Sequence, residues 1–278
     1  MTEPMILRAR VAAPVAEVRH ALTDPAAMRV WLAEHAEVEA PDRFGFWGRT
    51  TPEGDAPHQR LLHADERTVR FAWLLDGEET TAELALEEDE DGTTIVTLSQ
   101  SHFDFQDLIT GKSIRGVLQT YWCQALTNLA EHFEGRELTP QVDYTTAEMR
   151  VEVVIGAPPS EVFESLTSSE AVARWWGYPV EVEPYVGGRW AMGSLADDPN
   201  PAKVLELDPA RRFSLDWGDS GVGVWELEGS EGKTRLTVMQ SGFDETRPPY
   251  AAWGGFLAGV AELRRYLELP NWRPVLLP

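Results

Sequence analysis

Histidine, cysteine and paired carboxylates carry most acid–base, nucleophilic and metal chemistry, and in this sequence they are sparse and badly spaced for it. All six histidines (His20, His35, His58, His63, His102, His132) lie in the first half of the chain. None forms a two-histidine helix motif, and neither a glycine-rich phosphate loop nor a Gly-x-Ser-x-Gly elbow occurs. His102 stands where Gly242 stands in a repeated Gln-Ser-x-Phe-Asp motif, which marks it as a loop residue. The single cysteine, Cys123, rules out an internal disulfide and a cysteine-based metal cluster. It follows Trp122 in a helical pattern and reads as a small helix residue. The run Glu87–Asp91 reads as a solvated hairpin tip. An enzyme would need an acid or base within reach of its substrate. Only Gln100, Gln240, Arg189, His63 and Glu206 fall near inward or rim positions, and they form no recognisable pair. The reading therefore leans away from an enzyme, names no catalytic residue, and expects neither cofactor nor metal.

Binding is the chemistry these residues favour. Gln100 and Gln240 each put an amide on an otherwise apolar strand face, where it needs a backbone or ligand partner. Large aromatics fill space and also offer flat stacking surfaces. The expected pocket lining is Trp73, Gln100, Trp122 and Leu126 in the first half. In the second it is Trp190, Trp217, Trp225, Gln240, Trp253, Phe256 and Leu257. Gly254, Gly255 and Gly259 within a helical pattern imply either a close approach to the sheet or space left for a ligand.

The elements that must position these residues are written twice. Ala13-Pro14, Glu17-Val18, Leu22-Thr23 and Trp31 recur as Ala157-Pro158, Glu161-Val162, Leu166-Thr167 and Trp175. Thr94-x-x-Thr97-x-x-Gln100-Ser101-x-Phe103-Asp104 recurs from Thr234 to Asp244. Four tryptophan pairs follow in order: Trp31/Trp175, Trp47/Trp190, Trp73/Trp217 and Trp122/Trp253. Such a period is a whole domain, so the chain is a tandem duplication. The boundary falls in Arg136–Thr146, giving domains over 1–137 and 146–278. Each half reads as a strand running into a proline-started helix pair. Alternating strands follow (Ala36–Arg49 and Val180–Met192 first among them), and a long helix ends each half, near Ser113–Glu134 and Pro248–Leu269. Gly187-Gly188 is expected to bend its strand; Asp91-Gly92 and Glu231-Gly232 are hairpin turns. The fold class is α+β, two tandem helix-grip domains, each a curved antiparallel sheet gripping a long helix.

Composition agrees with a packed globular chain: 278 residues, 43% hydrophobic and 25% charged. Acidic residues outnumber basic ones 46 to 24, for a net charge of −22. That surface repels phosphate backbones and anionic membranes, so neither nucleic acid nor membrane insertion is expected. With no signal peptide visible at the start, a cytoplasmic location is expected. The tail Leu269–Pro278 has three prolines, which forbid a continued helix. It is expected to dock through Trp272 as a clasp between the halves, with a partner-binding segment as the rival.

APPSEVFESLTSSEAVARWWG, the VGGRW step, VLELDPARRFSLDW, KTRLTVMQSGF and the final W-x3-L-x2-V-x2-L helix resemble the activator of heat-shock-protein (Hsp) ATPase homologue family. That family belongs to the START-like, birch-pollen-allergen-like (SRPBCC) superfamily. The resemblance covers nearly all of the second half and, through the repeat, the first. It implies helix-grip folds, whose members include lipid carriers, hormone receptors, polyketide aromatase/cyclases and co-chaperones. The eukaryotic namesake's co-chaperone action depends on an additional domain with an Asn-x-x-Trp-His type motif, and the sequence has no such motif. The function expected is therefore binding of a small hydrophobic, lipid- or polyketide-like molecule. A START-like cyclase/aromatase and a chaperone-linked adaptor are the alternatives. The chain is expected to be a monomeric pseudo-dimer or a weak homodimer.

Overall fold

In the computed structural model, residues 4–39, 43–103, 107 and 113–277 are described. The chain divides into two units. Unit 1 comprises Met1–Thr146 with Tyr250–Ala258 and Val275–Pro278; unit 2 comprises Ala147–Pro249 with Gly259–Pro274.

In unit 1, β1 (Met5–Val11) leads into α1 (Val15–Ala21) and α2 (Pro25–Trp31). Asp24 caps α2 by accepting from the Ala27 N–H, with Pro25 in the first turn where no amide is missed. A separate hairpin, β2 (His35–Glu39) and β3 (Arg43–Trp47), comes next. The strands β4 (Gln59–Ala64), β5 (Thr68–Leu75), β6 (Glu78–Glu88) and β7 (Thr94–Gln100) precede the long α3 (Ile114–Phe133). The single strand expected over Ala36–Arg49 is thus two strands, whose link at 40–42 lies outside the described residues, as does Asp104 of the repeated motif.

Unit 2 opens with β8 (Met149–Ile155), which alternates buried and exposed residues along its whole length. It continues through α4 (Pro159–Thr167) and α5 (Ser169–Trp176) to β9 (Val180–Val182) and β10 (Arg189–Met192). Then come β11 (Ala202–Asp208), β12 (Arg212–Asp216), β13 (Val222–Ser230) and β14 (Lys233–Ser241). The strand expected over Val180–Met192 is a hairpin. Gly187 takes φ 87°, and a Cβ on Gly188 would sit 2.3 Å from the Glu183 carbonyl. Glu231 (φ 52°) and Gly232 (φ 76°) form the two-residue turn between β13 and β14. The final long helix, α6 (Tyr250–Glu268), contributes Tyr250–Ala258 to unit 1 and the remainder to unit 2. The tandem α+β arrangement expected of the sequence is the one observed.

The two sheets are antiparallel, and they differ at one point. Unit 2 has a continuous seven-stranded sheet, β8-β14-β13-β12-β11-β10-β9. Unit 1 has six strands, β15-β1-β7-β6-β5-β4, with β2–β3 outside that ladder. Where a strand pair would join β3 to β4, the Phe46 N–H instead bonds the side-chain oxygen of Gln59 at 3.0 Å. A Cβ on Gly45 would lie 2.7 Å from Pro57.

The tail is docked. Trp272 packs edge-on to Tyr266 at 5.3 Å, and its Nε1 donates to Glu262 at 2.6 Å. In unit 1, the Arg10 N–H donates to the Val275 carbonyl at 2.8 Å. There Leu276 and Leu277 form β15, opposite Ala9 and Arg8. Val275 is fully buried in the unit 1 core. Among the described residues, no helix is long and apolar enough to cross a membrane.

Two expected outcomes follow from these contacts. Val275→Ala should cost about 1–2 kcal/mol in chemical denaturation, from lost burial and an unfilled space. Across the β9–β10 hairpin, Arg189 donates Nε and Nη2 to the two carboxylate oxygens of Glu183 at 3.0 and 2.9 Å. That pairing holds the Glu183 carboxyl down at about 2, against an ordinary 4.5. Its folded value being depressed, its stabilising contribution is present above pH 4.5 and is lost as the pH falls through 2. Carboxyl NMR should show that midpoint, and Arg189→Gln should return it toward 4.5.

Candidate functional site

The side chains expected to line a cavity are placed in two groups. Trp73, Gln100, Trp122 and Leu126 are all buried in unit 1. Trp73 and Trp122 meet edge to face at 6.2 Å, and Tyr121, Phe46 and Phe71 complete an aromatic cluster around them. Gln100 is 0% exposed and fully bonded: its oxygen accepts from Trp122 Nε1 at 3.1 Å. Its Nε2 reaches the Ser101 carbonyl at 2.9 Å and Thr80 at 3.3 Å. Trp253, Phe256 and Leu257 also belong to unit 1, through the first part of α6. There Gly254 lets α6 approach α3: a Cβ would lie 2.6 Å from the Thr120 hydroxyl, which itself donates to the Ala251 carbonyl.

Trp190, Trp217, Trp225 and Gln240 belong to unit 2. Trp190 meets Trp217 at 5.1 Å, and Trp225 meets Phe213 at 5.4 Å. Gln240 donates to the Ser220 carbonyl at 2.6 Å, but its buried Oε1 finds no partner. Gly259 faces the ring of Trp176. The rim residues Arg189, His63 and Glu206 are held in surface pairs with Glu183, Asp65 and Arg212. Burial pushes the Cys123 thiol up to about 12, so at neutral pH it is not a nucleophile. Among the described residues, no three His, Cys, Asp or Glu side chains converge as a metal site would need.

An open pocket of about 490 Å³ lies elsewhere in unit 1, lined by none of the eleven expected residues. It sits where the ladder is interrupted, between the β2–β3 hairpin and the loop that follows. Its walls are Glu34, His35, Trp47, Arg49, Thr51 and Glu53, with Gly48, Gly54, Asp55, Tyr144 and Thr145 completing them. The loop closes on itself: the Gly48 N–H bonds the Gly54 carbonyl at 2.9 Å, and Thr51 N–H bonds the Gly48 carbonyl at 3.0 Å. A Cβ on Gly54 would lie 2.2 Å from the Gly48 oxygen, so this crossing requires glycine. The Glu53 carboxylate ties the loop to the β5–β6 turn by accepting the Asp76 N–H. Tyr144 enters from the segment after α3, its N–H donating to the Arg49 carbonyl at 2.9 Å.

Charged side chains give the pocket its chemistry, and buried hydroxyls lie behind its wall. Thr51 is 2% exposed, and its hydroxyl adjoins that of buried Tyr121. Neither makes a well-shaped hydrogen bond, and the buried Tyr144 hydroxyl also lacks a partner. Burial pushes both tyrosine hydroxyls far up, so they remain neutral donors. The Arg49 backbone N–H, then its guanidinium, hold Glu34 below the usual carboxylate range. His58 does the same for Asp55 through a 3.0 Å contact. Sequence reasoning missed this site. Its one accessible signal was Trp47, whose repeat partner Trp190 was selected as a lining residue.

Residues 156–268 match the family model described as activator of Hsp90 ATPase homolog 1-like protein. Residues 7–134 match the model described as polyketide cyclase / dehydrase and lipid transport. The chain is therefore a tandem of two START-like (SRPBCC) domains. A putative protein of the dynemicin biosynthetic locus is similar at 20% identity, over 95% of this chain and 100% of that one, with a TM-score of 0.38. A conserved protein of unknown function from Enterococcus faecalis is 21% identical over 46% of this chain and 75% of that one, at 0.40. An HSP90 activator from Plasmodium falciparum is 18% identical over 35% and 74%, at 0.30. None of the curated proteins compared matches the chain.

The two glutamines give a paired test. Gln100→Leu should lower stability by about 1–3 kcal/mol, because it leaves the buried Trp122 N–H without its acceptor. Gln240→Leu should cost less, since the oxygen it removes bonds nothing and the bond it loses is the one from its amide to the half-buried Ser220 carbonyl; denaturant midpoints of the two variants would show the order.

Proposed function

From a chain carrying two START-like domains in tandem, we propose that unit 1 binds a small amphipathic molecule in the pocket between Trp47 and Tyr144. The observation that carries this reading is an open pocket of about 490 Å³ with Trp47 in its wall beside the charged side chains of Glu34, Arg49, Glu53 and Asp55. That volume falls in the range of small-molecule sites, roughly 300–1,000 Å³. Glu34, Arg49, Glu53 and Asp55 supply charged walls for the ligand's polar end. Trp47 supplies an aromatic wall for the ligand's apolar part. The ligand is thus more polar at one end than the wholly hydrophobic molecule expected from the sequence.

The shifted carboxylates and tyrosines of the pocket are not tuned for proton transfer. Glu34 and Asp55 are held ionised, and the tyrosine hydroxyls are held neutral, so neither set is poised to exchange a proton near pH 7. A cyclase role draws its support from the description of the model matched by residues 7–134, and a chaperone-linked role from that matched by 156–268. Among the described residues, no arrangement in unit 1 or unit 2 adds to either.

Native mass spectrometry of the intact chain, followed by solvent extraction, tests the binding reading. A small molecule should leave with denaturation. Thr145→Trp, which fills the pocket from its exposed rim, should abolish that mass without lowering the melting temperature. Retention of the same molecule by Thr145→Trp would place binding elsewhere.

A further inference from the structure

We propose that β8 is a docking edge for a second copy of this chain, the two β8 strands pairing antiparallel about a two-fold axis at Val151. β8 ends the unit 2 sheet: β14 pairs with one side of it through seven residues, and among the described residues no strand takes the other side. The matching edge of unit 1 is filled. There β15 lies along β1, and the Arg10 N–H donates to the Val275 carbonyl. Ile6, Arg8 and Arg10 correspond in the repeat to Arg150, Glu152 and Val154, whose backbone N–H and C=O groups therefore face outward. Gly156, next in that series, points the same way, and its N–H is capped by Glu268 at 2.6 Å. Among the described residues, the outward N–H and C=O groups of Arg150, Glu152 and Val154 meet no partner.

Edges that stay single carry a device against pairing: a proline, a bulge, an inward charge or a run of like charge. β8 has none of these. Its register with β14 runs without a shift, and its inward residues Met149, Val151, Val153 and Ile155 are apolar and buried. On the outer face Val154 is 48% exposed, and Arg150 and Glu152 are of opposite sign. Those charges choose the register. Outward-facing backbone groups must meet their like, so even-numbered residues pair with even-numbered ones. An axis at Val151 sets Arg150 opposite Glu152 of the second copy, twice over, with Met149 opposite Val153 on the inner face. An axis at Arg150 or at Glu152 would oppose like charges. Arg150 has no carboxylate of its own, its guanidinium reaching the Met239 sulfur. Glu152 lies 3.5 Å from Arg235 in a half-exposed pair, weak enough to be shared. The contact is small, so the dimer is reversible and concentration-dependent.

Sedimentation equilibrium of the intact chain, from micromolar to millimolar concentration at physiological salt, should show a reversible monomer–dimer equilibrium. Glu152→Arg and Arg150→Glu, each placing like charges opposite one another, should raise its Kd at least about tenfold. Combining the two should bring the Kd back to within about threefold of the unaltered protein, which a role confined to one copy would not do. Glu152→Pro removes an outward N–H and leaves the bonds to β14 in place, so it should abolish the dimer at an unchanged melting temperature. If that variant melts early, the charge series decides alone. A chain that stays monomeric at the highest concentration would overturn the proposal, as would a Kd that the double exchange fails to restore. A dimer lost on deleting residues 275–278 but indifferent to Glu152→Pro would be an exchange of tails, and would overturn it too.

Discussion

A carbonyl that lies just ahead of a proline, where a buried strand hands over to a helix, has left the strand ladder and cannot yet join a helical one. Ala13 and Ala157 are in that position, and in each half a threonine at the start of a later strand supplies the missing donor. Thr94 and Thr234 are both fully buried, and each hydroxyl sits 2.7 Å from its alanine oxygen. Leaving such a group unsatisfied would cost about 1–3 kcal/mol. The bond ties the sheet to the helix pair, and the helix pair is tied to itself by a tryptophan. Trp31 Nε1 donates to the Ala21 carbonyl and Trp175 Nε1 to that of Ser165. These two bonds, repeated, fix where the chain turns before each half begins its hairpins.

Against that shared frame the halves have diverged at equivalent residues. Gln100 is wholly satisfied by Trp122, Thr80 and Ser101, whereas Gln240 keeps an orphan oxygen. Trp190 is buried against Trp217, while its counterpart Trp47 lines an open pocket beside His35. Pairing of β10 with β11 makes one sheet continuous, and the corresponding strands of the other half are held apart by Pro57 and the Gln59 side chain. A duplicated fold has thus kept its anchors and changed the place where the sheet opens.

The repeated anchors were legible in the sequence because each depends on one residue type at one spacing. Thr94, Thr234, Trp31 and Trp175 stand out when the halves are aligned, and the strand and helix order follows from alternation and apolar periodicity. The two hairpins at β2–β3 and β9–β10 were not, since their apolar alternation continues across the turn and hides it. The pocket was the least visible. Its walls come from one hairpin, one closed loop and Tyr144, and they meet through backbone contacts such as Gly54 on Gly48 that have no sequence signature. The matched pair Trp122 and Trp253 implied two equivalent grips. Both residues belong to unit 1, because α6 gives its first turns to that unit.

The composition of unit 1 also bears on the order in which the protein is made. Its sheet ends on β15, and its helical layer includes Tyr250–Ala258, segments that follow all of Ala147–Pro249 in the chain. Synthesis runs from the N-terminus, so β1 leaves the ribosome with one edge bare and keeps it bare while the whole of unit 2 is translated. An uncovered strand edge is a template for pairing with other chains. Arg8 and Arg10 on that strand supply charge along the waiting edge. The first domain to emerge is the last to be completed, and its closure waits on long-range contacts that form slowly.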